Sequence, residues 1–448
     1  DSDGIGNNAD SDDDGDNIID SLDPWPLDKR YKKDSDSDGL PDGYETSNGL
    51  NPNNASDATT DADGDDLTVL EEFGYGTSDS NTDSDFDTLP DGWEVANGRD
   101  PAKADYQIAV GQYHTCAIDD NGVKCWGWDN NGQTTVPSDL VNPVAVSAGE
   151  FQTCALDDNG VKCWGDDYYG EATVPADLVN PVAVSAGYNH TCAIDDIGVV
   201  CWGKNLYYGQ TTVPTDLVNP VAVAAGSNHT CALDDNGVQC WGDNDYGQST
   251  VPTGLVNPVA VAAGGDYTCA IDDNGVQCWR ENNFGQSTVP TGLVNPVAVA
   301  AGYIHTCALD NNGIQCWGWD DDGQSTVPTD LVNPVAVAAG YKHTCALDDN
   351  GVQCWGVASS GYGQPTVLAS LMFDPDGDGV SSQGGLDAFP LDATEHTDTD
   401  TDGIGNNADT DDDGDGMPDA WETRYGLDPN DPSDATSDQD NDGISALD

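Results

Sequence analysis

Asp34, Asp36 and Asp38 alternate with serines; Gly39 and Leu40 follow, and Asp42 and Glu45 close the stretch. Oxygen ligands thus fall at positions 1, 3, 5, 9 and 12 of a twelve-residue loop, with glycine at 6 and the Leu40 carbonyl at 7. This is the spacing of an EF-hand calcium loop, in which hard carboxylate and carbonyl oxygens surround a hard cation. The pattern recurs. Asp83, Asp85, Asp87, Leu89, Asp91 and Glu94 form a second copy, with Thr88 in the glycine place. Asp12, Asp14, Asp16, Ile18, Asp20 and Asp23 form a copy ending in Asp. Asp61, Asp63, Asp65, Leu67 and Glu72 form another, in which Val69 leaves position 9 to water.

The far end of the chain repeats the theme. Asp374, Asp376, Asp378 and Val380 open a loop that Asp387 closes; Asp398, Asp400, Asp402, Ile404 and Asp409 form the next. Asp411, Asp413, Asp415, Met417, Asp419 and Glu422 form a complete loop, and Asp438, Asp440, Asp442 and Ile444 begin one more. Residues 400–409 nearly repeat residues 1–10, so both flanks are one kind of module.

A bidentate closing carboxylate needs a short helix to hold it. Pro41 suits a first helical turn, and Gly49 before Asn51-Pro52 stops it, so Glu45 belongs on an exit helix. Trp421 to Gly426 reads the same way. The alternative is a disordered acidic linker. Disorder does not call for Asp at every second position with Gly and an aliphatic at fixed offsets. The flanks are expected to have almost no apolar core, with cations in its place.

Between the flanks the chemistry changes to cysteine. The stretch from His114 to Gly127 holds two alternating runs around Asp120-Asn121-Gly122, a β-hairpin signal. Pairing Ile118 with Val123 brings Cys116 opposite Cys125. The hairpin recurs with a period of 38 residues, once 39, giving the pairs Cys116–Cys125, Cys154–Cys163, Cys192–Cys201, Cys231–Cys240, Cys269–Cys278, Cys307–Cys316 and Cys345–Cys354. Disulfides inside each hairpin are the simplest account and imply an oxidising, extracytoplasmic compartment. Metal binding is the rival, but one hairpin offers two thiolates and a closed zinc site wants four ligands.

The unit also contains a Pro-Val-Ala-Val run before the hairpin and a Thr-Val-Pro run after it, which reads as four short strands per repeat. Seven such units imply an all-β domain, a seven-bladed β-propeller with hairpin disulfides; a solenoid would need polar capping repeats. The expected domains are acidic repeats at 1–105, the propeller at 106–373 and acidic repeats at 374–448.

The pattern Ala-Gly-x-x-His-Thr-Cys-Ala-Leu-Asp, continuing to Cys-Trp-Gly and Gly-Gln, closely resembles the regulator-of-chromosome-condensation repeat. The resemblance implies a seven-bladed propeller. That family's nuclear exchange factor binds chromatin, a role this chain's acidity opposes. The flanking loops resemble thrombospondin type 3 repeats and the Asp-rich loops of large secreted bacterial proteins, which implies rows of calcium ions.

The position before Thr-Cys is His114, Gln152, His190, His229, Tyr267, His305 and His343. Five histidines invite a metal reading. Gln and Tyr in two repeats favour an inter-repeat hydrogen bond instead. The tryptophans after each second cysteine read as packing. The loops beyond them vary and carry Trp128, Tyr168, Tyr169, Tyr207, Tyr208, Tyr246 and Trp319, a candidate partner-binding rim, or surface variation without function.

Acidic residues number 82 against 12 basic, a net charge of −70. Such a field repels nucleic acid and anionic membranes and calls for cations. No run is apolar enough to span a membrane, and the chain reads as a piece of a longer secreted protein. No catalytic constellation stands out. The expectation is a non-enzymatic, calcium-binding extracellular protein at the cell surface, structural or adhesive, with several calcium ions. It associates with itself, with other surface proteins or with glycans. The alternatives are a binding propeller with the flanks as spacers, and a secreted calcium-dependent enzyme.

Overall fold

The hairpin is where the sequence leads the fold. In the computed structural model, Cys116 lies opposite Cys125 and Ile118 opposite Val123, in an antiparallel pair joining His114–Asp119 to Gly122–Gly127. The structure describes residues 25, 31, 33–85, 87, 89–97, 101, 106–356, 366–368, 371, 373–376, 380–383, 386–436 and 445. They fall into two units, 1–104 and 105–448.

In the second unit each repeat forms one antiparallel sheet. The first has strands Gln107–Val110, His114–Asp119 and Gly122–Gly127; the seventh has Ala336–Ala339, His343–Asp348 and Gly351–Gly356. Each of the seven sheets therefore has three strands, not the four expected. The Thr-Val-Pro segment is not a strand. Its proline has no N–H for a ladder, and the preceding Gln133 has its carbonyl engaged elsewhere: Thr153 Oγ1 and Trp164 Nε1, both in the next repeat, donate to it at 2.8 and 2.9 Å.

The middle strands are buried from end to end. All seven hairpin disulfides are formed. Disulfides persist in oxidising compartments, so they point to an oxidising, extracellular environment. Among the described residues no helix is long and apolar enough to cross a membrane.

The first strands of all seven repeats line one cavity of about 120 Å³, through Val110, Ala148, Ala186, Ala225, Ala263, Ala301 and Ala339. Beside it, main-chain bonds pass between neighbouring repeats, such as Gln112 N–H to Gly149 O at 3.1 Å and Tyr303 N–H to Gly340 O at 3.0 Å. Glycine is required here by space: a Cβ on Gly340 would stand 2.4 Å from the carbonyl oxygen of Gly111.

The first unit has a small core. Leu40, Ala58 and Val69 are fully buried and pack with Tyr44, Leu50 and Phe73. Three helices are described there: α1 (Asp42–Ser47), α2 (Val69–Tyr75) and α3 (Asp91–Asn97). The second unit adds α4 (Asp419–Tyr425). Helices α1 and α4 start after Pro41 and Pro418, as proline's fixed φ allows, and α4 ends at Gly426 in the left-handed region.

Candidate metal centres

The aspartates first shape their own loops. Asp34 Oδ1 accepts from Ser37 N–H at 2.6 Å and its Oδ2 from Gly39 N–H at 3.1 Å. Asp61 serves Gly64 and Asp66 in the same way, and Asp398 serves Thr401 and Gly403. Positions 4 and 6 both carry positive φ: 67° at Ser37 and 99° at Gly39, 65° at Thr401 and 91° at Gly403. The non-glycine residues held there by these bonds show that the loop backbone is firmly determined.

The curl brings the carboxylates together. Ligand atoms of Asp34, Asp36 and Asp38 lie within 4.8 Å of one another, as do those of Asp61, Asp63 and Asp65, of Asp83, Asp85 and Asp87, and of Asp398, Asp400 and Asp402. Leu40, Leu67, Leu89 and Met417 at position 7 are buried, which anchors the loops, while Ile404 is exposed.

The closing glutamates are the most telling groups. Glu45, Glu72 and Glu422 are fully buried, and neither oxygen of any of them has a hydrogen-bond partner. Burial pushes Glu45 up to about 7, with Asp36, Asp38, Asp57 and Asp42 adding to the rise. Burial likewise pushes Glu72 to about 8 and Glu422 to about 7, helped by neighbouring aspartates. Both oxygens of Asp36 and of Asp63 are also buried without a donor. Buried oxygen atoms crowded together with no donor suit a hard cation, which alone satisfies them all.

Position 9 has another task. Asp42 accepts from Ser35 N–H at 2.7 Å and from Lys33 Nζ at 2.7 Å. Asp91 and Asp419 accept from Ser84 and Asp412 N–H, so this side chain ties the loop's second residue to the helix start. In α2 the place falls to Val69, which joins the core, and Thr68 with Glu71 caps the helix. Two loops of the first unit, 61–72 and 83–94, also meet: Gly92 N–H donates to Asp65 Oδ2 at 3.1 Å.

Glu94 is fully buried, and Asp387 nearly so, its Oδ1 accepting from Phe389 N–H. Asp374 donates its main-chain N–H to Asp120 Oδ2 at 2.6 Å, and Asp376 and Val380 follow it. Asp409 accepts from Asp411 N–H at 3.1 Å, which links two loops. Asp411, Asp413 and Asp415 each keep one buried oxygen without a donor. Asp12, Asp14, Asp16, Ile18, Asp20, Asp23, Asp378, Asp438, Asp440, Asp442 and Ile444 lie outside the described residues.

The histidines are hydrogen-bonding groups. His114, His190, His229, His305 and His343 each reach the threonine of the next repeat, Thr153, Thr230, Thr268, Thr344 and Thr115, at 2.7–2.9 Å. Thr153 gives its proton to Gln133 O, so His114 Nε2 must be the donor to Thr153. Gln152 and Tyr267 bond the next repeat in their own ways, Gln152 through Gly187 O and Tyr267 through Thr306.

Of the rim residues, Tyr168 and Tyr207 are 80% and 85% exposed, and Tyr246 is 58% exposed. Tyr169 and Tyr208 are less so; Trp128 and Trp319 are half-buried, with Trp319 edge-on to Phe284 at 4.4 Å. A second aromatic group escaped the sequence reading. Tyr188 stacks on Tyr303 at 5.7 Å, and Tyr303 meets Tyr341 at 4.9 Å, all three lining the cavity that the first strands share. Its signal is the pair of residues after each Ala-Gly.

Residues 106–133, 144–171, 182–210, 221–248, 297–324 and 335–364 match the regulator of chromosome condensation (RCC1) repeat. The chain carries RCC1 repeats. The unit between 248 and 297 lies outside the match, and it is the one with Tyr267 and Arg280, yet it forms the same three-stranded sheet. Among solved structures, the ectodomain of the Physcomitrella patens receptor kinase CR4 is similar at 28% identity, covering 56% of this chain and 72% of that one, with a TM-score of 0.48. The CRINKLY WD40 ectodomain of the Arabidopsis thaliana receptor kinase ACR4 is 24% identical over 57% and 98% of the chains, with a TM-score of 0.47. Prp20p of Saccharomyces cerevisiae is 19% identical over 56% and 81%, with a TM-score of 0.47. A comparison with curated proteins finds no match.

Proposed function

We propose that this is a non-enzymatic extracellular protein, structural or adhesive, in which calcium-binding repeats accompany a closed seven-bladed propeller serving as a rigid bead or interaction platform. It belongs to a surface appendage, filament or adhesin. The observation that carries the reading is the trio Glu45, Glu72 and Glu422, buried among aspartates with no donor to either oxygen. Uncompensated burial of a charged group costs several kcal/mol, and a net charge of −70 adds self-repulsion. Several bound calcium ions compensate the buried carboxylates and offset part of the repulsion. Closure of the propeller is supported by the bond between His343 and Thr115 and by the cavity that all seven first strands share.

In this reading the cation-filled loops stiffen both flanks and carry association with other copies or with surface proteins and glycans. Light scattering and electron microscopy with calcium, then with excess chelator, test it. Ordered assemblies that dissolve on chelation are expected. Size and shape that do not respond to the chelator would sink the structural role.

A second reading is favoured by the exposure of Tyr168 and Tyr207, large rings offered to solvent by two successive repeats. There the rim captures a protein or glycan and the flanks are spacers. Replacing Tyr168, Tyr169, Tyr207 and Tyr208 together by Ser then abolishes capture and leaves assembly intact.

A further inference from the structure

Glu45 faces two acidic neighbours besides the loop's first residues. One is Asp38. The other is Asp57, twelve residues downstream of Glu45 and the first residue of the 3-10 turn Asp57–Thr59. One ligand atom of each of Asp38, Glu45 and Asp57 lies within 4.8 Å of the others.

Asp57 divides its carboxylate between two tasks. Oδ2 accepts from Asn51 N–H at 3.0 Å and from Asn54 Nδ2 at 3.5 Å, which holds the turn. Oδ1 is buried and has no hydrogen-bond partner. The arrangement recurs at the other end of the chain. Asp434, twelve residues beyond Glu422, opens the turn Asp434–Thr436. Its Oδ2 accepts from Asp428 N–H at 2.8 Å, and its Oδ1 is buried without a partner. Ala58 and Ala435 are buried behind the two aspartates and fix each turn in place. Neither aspartate belongs to the twelve-residue pattern. Glu45 and Glu422, fully buried and unpartnered, are the independent sign that this corner is built to take a ligand.

We propose that Asp57 and Asp434 are cation ligands supplied from outside the loops, each completing, with Glu45 or Glu422, a site for a divalent cation of calcium's size. The inference rests on the reading that the loops bind calcium. A calcium ion takes six to eight oxygen ligands, and Asp42, at position 9, is already engaged by Ser35 and Lys33. An oxygen from the downstream turn supplies what that position withholds. The cation then joins loop, helix and turn, so the folding unit runs from Asp34 to Thr59 and from Asp411 to Thr436.

The test is calorimetric titration of the full chain with calcium after chelator treatment, for wild type, Asp57→Asn, Asp434→Asn and the charge-matched Asp216→Asn, whose side chain is exposed and lies outside every aspartate-rich loop. Asparagine retains one oxygen for the N–H of Asn51 or Asp428, so the turns are kept while the ligand oxygen is lost. Each of the two variants is expected to lose one site or weaken it at least tenfold, with Asp216→Asn unchanged. Hydrogen exchange supplies a second readout: in wild type, calcium protects residues 57–59 and 434–436, and in each variant its own turn stays unprotected. Wild-type isotherms and protection in both variants would overturn the proposal and leave calcium binding by the loops standing. Absence of calcium binding by wild type would overturn the underlying reading as well.

Discussion

His343 and Thr115, 228 residues apart in sequence, share a hydrogen bond of 2.9 Å from Nε2 to Oγ1. It joins the seventh repeat to the first with the same pair of groups that joins His114 to Thr153. Both residues are buried. Thr115→Val removes the hydroxyl and leaves His343 Nε2 buried without this partner, a loss of about 1–3 kcal/mol. Urea unfolding followed by tryptophan fluorescence is expected to show that loss. A similar loss for Thr153→Val would indicate that the last-to-first contact carries as much as an interior one.

The same histidines set an acid limit. Burial lowers His114, His229 and His305 to about 4 and His190 and His343 to about 3, with Asp129 opposing the shift weakly at His114. In the unfolded chain each returns to an ordinary value near 6.5. The unfolded state therefore binds more protons as the pH falls below about 6.5. Their contribution is complete above that pH and declines down to about 3–4, by up to about 1.4 kcal/mol per pH unit for each histidine. Replacing His190 by Gln, the residue that Gln152 already places there, is expected to make the decline between pH 6.5 and 4.5 shallower. An unchanged slope would contradict the neutral assignment.

Arg280 stands where six other repeats place glycine, and its φ is 89°. A Cβ in the equivalent place at Gly203 would stand 2.7 Å from Asn189 O. In the arginine repeat the neighbouring bond, Glu281 N–H to Asp266 O, is stretched to 3.4 Å, against 2.8 Å for Lys204 N–H to Asn189 O. Arg280→Gly is expected to stabilise the protein by roughly 0.5–1 kcal/mol, since relief of the left-handed strain outweighs the added freedom of the unfolded chain. The melting temperature reads it.

Each hairpin disulfide closes a loop of about ten residues, worth about 2–3 kcal/mol in the loop-entropy model. Replacing Cys192 and Cys201 together by Ala is expected to cost that much in urea unfolding. A loss below about 1 kcal/mol would assign the hairpin's stability to the ladder alone.

Much of this was legible in the sequence. The turn at Asn121-Gly122 and the nine-residue cysteine spacing set the hairpin register, and period-two alternation set its faces. The third strand pairs as expected, but a fourth was expected where none forms. What overrides it is a tertiary use of the backbone, the Gln133 carbonyl captured by Trp164 and Thr153 of the next repeat. In the flanks the aspartate spacing located the clusters. It did not reveal the core around Leu40, Ala58 and Val69, because those residues are scattered through polar sequence. Nor did it reveal Asp57 and Asp434, although Leu50-Asn51-Pro52 and Leu427-Asp428-Pro429 each precede a Ser-Asp-Ala-Thr run. That shared run is the signal that could have found them.

The most direct test of the account is hydrogen exchange on the full chain, first in chelator and then with millimolar calcium. Calcium is expected to protect residues 34–45, 61–72, 83–94 and 411–422, where carboxylates crowd together, and to leave the hairpins at 114–127 and 343–356 as protected as before. Equal protection of those loops in chelator and in calcium would contradict it.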